Sequence, residues 1–161
     1  MSADGNWVSF DSKASFGSQD GGGDTDIYVK NLATGAVAQA SIRTDGQQAS
    51  TSGDAVGADS TISADGRFVA FWSDSSNLVD NDTNGNIGCK AAPCSDVFVR
   101  DMVAGTTTRM TATNGTQGDN DSFSPALSMD GRLVAWDSKA DSLDPSQPTN
   151  SGQDIYVHVN F

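Results

Sequence analysis

The feature that most restricts how this chain can fold is a block that occurs three times. Ser2-Ala3-Asp4-Gly5-Asn6-Trp7-Val8-Ser9-Phe10 returns as Ser63-Ala64-Asp65-Gly66-Arg67-Phe68-Val69-Ala70-Phe71, and then as Ser128-Met129-Asp130-Gly131-Arg132-Leu133-Val134-Ala135-Trp136. From Ser2 to Ser63 is 61 residues and from Ser63 to Ser128 is 65. A repeat of this length implies similar units that bury their apolar faces by stacking on one another. A second block follows each copy of the first: Asp26-Ile27-Tyr28-Val29-Lys30, Asp96-Val97-Phe98-Val99-Arg100 and Asp154-Ile155-Tyr156-Val157-His158. A third, Ala33-Thr34-Gly35 and Ala104-Gly105-Thr106, leads into Ala36 to Ile42 and Thr107 to Ala112. Asp-Gly supplies a turn, because glycine tolerates positive φ, and the Val, Phe, Trp and Ala runs after it are too short for helices. The second block alternates apolar and polar positions as a half-buried strand does. No segment reads as a convincing helix.

The repeat unit is therefore turn, strand, loop, strand, turn, strand, polar linker, strand. Four short antiparallel strands per unit is the pattern of a propeller blade. The residues resemble the TolB-like, PD40-type (WD40-like) β-propeller repeats, whose unit reads S-x-D-G-R-x-V-A-F-x-S, an Asp/Asn-rich loop, D-[IV]-[FY]-V-x-[DN] and T-G-x-T-x-R. The second copy fits best, through Ser63 to Phe71, Asn77-Leu78-Val79, Asp96 to Asp101 and Gly105 to Arg109. Ser60-Thr61-Ile62-Ser63 and Ser124-Pro125-Ala126-Leu127-Ser128 resemble the innermost strand that leads into the next turn. The expected fold is all-β, with four-stranded antiparallel blades, ten strands and about two and a half blades in an incomplete ring. It forms a single partial propeller domain over 1–161, with repeats at approximately 1–62, 63–127 and 128–161. Propellers close with about four to eight blades, so exposed edges and blade faces need a cover. The cover is either self-association, as a homo-oligomer or filament, or the missing blades of a longer chain.

Charge narrows the partners. With 9 Lys+Arg against 21 Asp+Glu the formal charge is −12, which repels phosphate backbones and anionic lipid and favours cations. Nucleic acid is therefore an unfavoured partner. No apolar run approaches the roughly 18 residues that cross a bilayer, so no membrane insertion is expected. The hydrophobic fraction of 36% rises into the globular range once the 17 glycines are counted with it. Cys89 and Cys94 lie in a polar loop without the second cysteine pair of a zinc site. They fit either a small loop disulfide in an exported protein, extracellular or in the periplasm or cell envelope, or two free thiols of a cytosolic loop.

Asp80-Asn81-Asp82-Thr83-Asn84-Gly85-Asn86 opens like the D-x-[DN]-x-[DN]-G of a calcium loop, in which alternate side chains converge on one ion and glycine permits the bend. The twelfth position, Ala91, lacks the usual acid. The expected Ca²⁺ ligands are Asp80, Asp82, Asn84, Asn86 and Asp96, with Asp96 brought in by the folded-back Cys89–Cys94 segment; propellers of the family resembled here often carry calcium in blade loops. A possible second site uses Asp20, Asp24 and Asp26. Asp119, Asp121 and the 54–59 segment read as solvated spacers.

Catalytic chemistry has little support: His158 is the only histidine, and no G-x-S-x-G, P-loop, H-E-x-x-H or C-x-x-C is present. No catalytic residue is assigned and no enzyme is expected. Trp7, Phe10, Phe71, Trp72 and Trp136 read as blade-to-blade core, though Trp72 follows Phe71 and should face the other side of its strand, where an exposed ring could stack on a sugar. Three functions compete: a non-enzymatic calcium-binding propeller module for extracellular or envelope protein interactions, a carbohydrate-binding lectin-like propeller, and a propeller fragment of a larger hydrolase.

Overall fold

In a computed structural model of the protein, which describes residues 1–17, 23–49, 59–84, 89, 94–113, 115–144, 146 and 152–160, the three Asp-Gly blocks form one and the same turn. The serine hydroxyl donates to the aspartate two residues on, at 2.6 Å in Ser2–Asp4, 2.5 Å in Ser63–Asp65 and 2.6 Å in Ser128–Asp130. The same hydroxyl accepts the amide of Trp7, Phe68 or Leu133 at 2.9 Å. Gly66 and Gly131 sit at φ 76° and 71°, which any side chain would strain.

Each turn launches a strand of an antiparallel sheet. The first blade is β1 (Trp7–Ser12), β2 (Asp26–Asn31) and β3 (Val37–Gln39) in that spatial order; the second is β4 (Thr61–Ile62), β5 (Phe68–Ser73), β6 (Asp96–Asp101) and β7 (Thr106–Arg109). A hairpin, β8 (Ala112–Thr113) and β9 (Thr116–Gln117), precedes the third blade of β10 (Ser122–Leu127), β11 (Leu133–Ser138) and β12 (Asp154–Val159). The blades supply the ten expected strands. The β8–β9 hairpin was not foreseen in the linker; Gly115, at φ 82°, makes its tight turn. Helix is limited, among the described residues, to one 3₁₀ turn at Asp141–Leu143.

Strand alternation sorts the middle blade's side chains onto two buried faces. Val69, Phe71 and Phe98 point to the first blade and pack with Ile27, Val29, Ala40 and Leu78. Phe68, Ala70, Val97 and Val99 point the other way, onto Val134, Trp136, Ala140 and Leu143. A sheet covered on both faces reads as a near-continuous apolar run, as Phe68 to Trp72 does. Burial of each such side chain stabilises by about 1.5–3 kcal/mol relative to exposure.

The blades are also joined through their turns. The Trp7 ring lies where a Cβ on Gly66 would stand, and the Phe68 ring where one on Gly131 would. Beside them the Ala3 amide donates to the Ala64 carbonyl at 2.9 Å, and the Ala64 amide to the Met129 carbonyl at 2.8 Å. One joint is thus used twice.

Candidate functional site

A buried polar assembly forms where β6 begins and the loop after β5 returns. Asp96 opens β6, and the chain comes back after β7 to set Thr111 beside it, so that the Thr111 hydroxyl donates to Asp96 Oδ1. Asp96 Oδ2 accepts from Asn84 Nδ2 at 3.1 Å and from Gln117 Nε2 at 2.9 Å. Gln117 Nε2 also donates to Asp82 Oδ1 at 2.6 Å, while its Oε1 accepts the Thr83 amide. Arg109, on the last position of β7, brings Nη1 to 3.6 Å from Asp82 and 4.0 Å from Asp96. Burial raises Asp96 to a pKa of about 6; the Asp82 charge adds to this, and the bonds from Thr111 and Gln117 and the charge of Arg109 oppose it.

The first blade contains a counterpart with glutamine in place of the arginine. Ser41 Oγ donates to Asp26 Oδ1 at 2.7 Å, and Gln39 Nε2 donates to Asp26 Oδ1 and Gln48 Oε1, each at 2.8 Å. Gln39 thus stands where Arg109 stands. In both blades the hydroxyl lies 15 residues beyond the aspartate. Sequence reasoning missed Thr111, Arg109 and Gln117, although this recurring Asp-to-Ser/Thr interval carried the signal. The aspartate ties the incoming third strand to the chain leaving the fourth.

The expected calcium ligands separate into two groups. Asp82, Asn84 and Asp96 come together, whereas the exposed Asp80 accepts from Arg43 Nη2 at 2.9 Å, in a bond that crosses from the first blade to the second. Asn86 and Asp20 lie outside the described residues, as does the linker at 51–58. Asp24 sits half-buried in the turn before β2, and Asp26 is committed to Ser41 and Gln39. Two observations bear on whether a cation fits at Asp82, Asn84 and Asp96. Asn84 Oδ1 is buried without a hydrogen-bond donor among the described residues, as an oxygen awaiting a ligand would be. Against this, Arg109 already places positive charge against both carboxylates, and its Nε and Nη1 are themselves buried without acceptors.

Cys89 and Cys94 form a disulfide. Their sulfurs and Asp121 are the one trio of candidate metal ligands within 4.8 Å among the described residues, and a disulfide has no thiolate to offer a metal. Asp121 accepts the Ser95 amide at 3.3 Å and pairs with Lys139, and Asp119 accepts the Ser142 amide at 3.2 Å at the 3₁₀ turn. These two are therefore structural ties rather than the solvated spacers expected of them. Trp72 does face away from Phe71, but its ring is partly buried and meets Phe123 edge-on at 5.2 Å, because β10 of the third blade packs on that side. The exposed stacking platform expected there is not found. His158 is exposed on β12 opposite Val134.

The third blade differs from the second on one face. Leu133, Ile155, Val157 and Val159 are 46%, 73%, 63% and 58% exposed, whereas Phe68, Val97 and Val99, which precede Leu133, Ile155 and Val157 in the repeat, are nearly inaccessible. A cavity of about 310 Å³ lies between the second and third blades, lined by Arg67, Phe68, Val99, Asp101 and Asn160 among others.

No protein-family model and no curated protein sequence matches the chain. Solved structures do. The chain is similar to a putative TolB from Agrobacterium tumefaciens, with 15% identity and a TM-score of 0.53 over 99% of this chain and 43% of that one. It is also similar to the tricorn protease, with 18% identity and a TM-score of 0.50 over 86% of this chain and 10% of that one. The chain thus spans less than half the length of either. The likeness is one of fold: the blades are those of a β-propeller, in agreement with the TolB-like relationship implied by the repeat.

Proposed function

We propose that this chain is a non-enzymatic β-propeller module that works through protein contacts in an extracellular or envelope compartment. The observation behind this reading is the uncovered face of the third blade. A contiguous set of large apolar side chains at solvent marks an interaction surface on a soluble protein. The cover is another protein surface: a second copy or further blades of a longer chain. The disulfide supports an oxidising compartment. The likeness to tricorn protease is a likeness of fold and lends no activity to this chain. The test places charge on the face with Ile155→Lys and Val157→Lys together. The double variant is expected to lose either binding of an apolar fluorescent dye or association in solution. A wild-type chain that neither binds dye nor associates would overturn the reading.

A second reading concerns the buried carboxylates. Asp82, Asn84 and Asp96 are the residues that would hold a calcium ion, and the unpartnered Asn84 Oδ1 supports them. Bound there, the ion would supply structural cross-linking of the loop to β6. Arg109 is the competitor for the same carboxylates. Arg109→Gln, which installs the first blade's residue, should therefore raise calcium affinity at least tenfold, read as a calcium-dependent rise in Tm. No calcium response in either wild type or variant would overturn this reading.

A further inference from the structure

The chain carries both halves of the joint that holds its own blades together, with one of each half unused. In the two joints already made, the residue two after the Asp-Gly turn of one blade seats on the turn glycine of the next: Trp7 on Gly66 and Phe68 on Gly131. The third such residue is Leu133, 46% exposed, and the third such glycine is Gly5, which has open space in front of it. The main-chain ladder is open in the same sense. Ala3 donates to Ala64 and Ala64 to Met129; a bond continuing the series would run from the Met129 amide to an Ala3 carbonyl.

The faces match as well. The first blade's outer face is formed by Val8 and Phe10, both half-buried, in the places held by Val69 and Phe71 in the second blade and by Val134 and Trp136 in the third. Phe16 lies against Phe10 at 5.8 Å and against Tyr28 at 4.9 Å, which completes the face much as Leu78 and Leu143 complete the other two. The exposed third-blade face is therefore complementary to a face that every copy of this chain presents.

From this we infer that the partner of the third blade is the first blade of a second copy, with Leu133 of one chain on Gly5 of the other and the Met129 amide bonded to the Ala3 carbonyl. A joint between unlike faces repeats until it closes. Two copies of these three blades, the flanking ones three-stranded, make six, within the usual range of about four to eight, so the inferred assembly is a dimer closed by two identical joints. The inference rests on the interaction reading above and names its partner.

The experiment uses two variants that each disable one side. Val8→Lys blocks the first-blade face and Ile155→Lys the third-blade face; circular dichroism and melting confirm that both fold. Light scattering should give a wild-type dimer, two monomeric variants and, on mixing, a 1:1 dimer, because one intact joint remains possible between the two variants and none within either. A Val8→Lys variant that still dimerises alone would overturn the inference, since the third-blade faces would then be meeting each other, while the interaction reading would stand. A monomeric wild type would also overturn it; dye binding lost in Ile155→Lys would then show the face awaiting a different blade.

Discussion

The second and third blades are built from nearly the same sequence pattern, yet one face of each meets opposite surroundings. Val97 and Val99 are inaccessible against the third blade, while Ile155 and Val157, at the same steps of the same strand, are largely exposed. Apolar alternation therefore encodes which face a residue joins, and the neighbouring blade decides whether that face is buried. A polar replacement at Ile155 would be expected if solvent were its permanent setting; the retained isoleucine and valines are the residues of a joint.

The strongest way to break the comparison is to place the same charge on both faces. Val97→Lys should cost about 4 kcal/mol or more, enough to unfold the chain in a thermal melt, because the ammonium would lie unpaired in the core. In the dissociated chain Ile155→Lys should change stability by no more than about 0.5 kcal/mol. Equal losses in the two melts would show that the faces are not alternatives.

The turn glycines give the next largest contrast. Gly131→Ala should cost about 2–4 kcal/mol, combining positive φ with collision against the Phe68 ring. Gly5→Ala meets open space within one chain and should cost only the conformational strain, about 1 kcal/mol by denaturant titration.

The smallest contrast concerns Asp101, whose place in the third blade is taken by Val159. The Arg67 guanidinium, with the Val103 and Ala104 amides, holds Asp101 at a pKa of about 2. Because the folded value lies below the ordinary 3.8, the stabilisation is complete above about pH 4 and disappears as pH falls towards 2. Arg67 is half exposed, so the effect is about 1 kcal/mol. Asp101→Asn should lower stability by that amount at pH 6 and by only a small part of it at pH 2, as urea titrations at the two values would reveal.

Much of this architecture was legible in the sequence. Ser-x-Asp-Gly specifies a turn closed by its own side chains, so three copies announced three turns, and the strands after them followed from short apolar runs. The count of ten blade strands also followed, since each turn begins one repeat. The calcium loop was less legible because its spacing is local whereas its bonds are not. Asp80 is drawn away by Arg43, distant in sequence, and Asp96 is claimed by Thr111 and Gln117 after two changes of chain direction. Trp72 was legible both in direction and as blade-to-blade core; what strand alternation could not decide was the alternative of an exposed ring, since it gives a side and says nothing of how closely β10 packs there.

The doubled turn joint also sets the order in which the molecule comes apart. Ala64 receives one main-chain bond from the blade before it and gives one to the blade after it, so the central sheet is clamped twice and each flanking sheet once. In the dissociated chain, units coupled only to their neighbours behave as a short one-dimensional lattice, in which melting enters from the ends. Amides of β5 and β6 are therefore the last to exchange with solvent, and a chain frayed at both flanks still retains a folded centre.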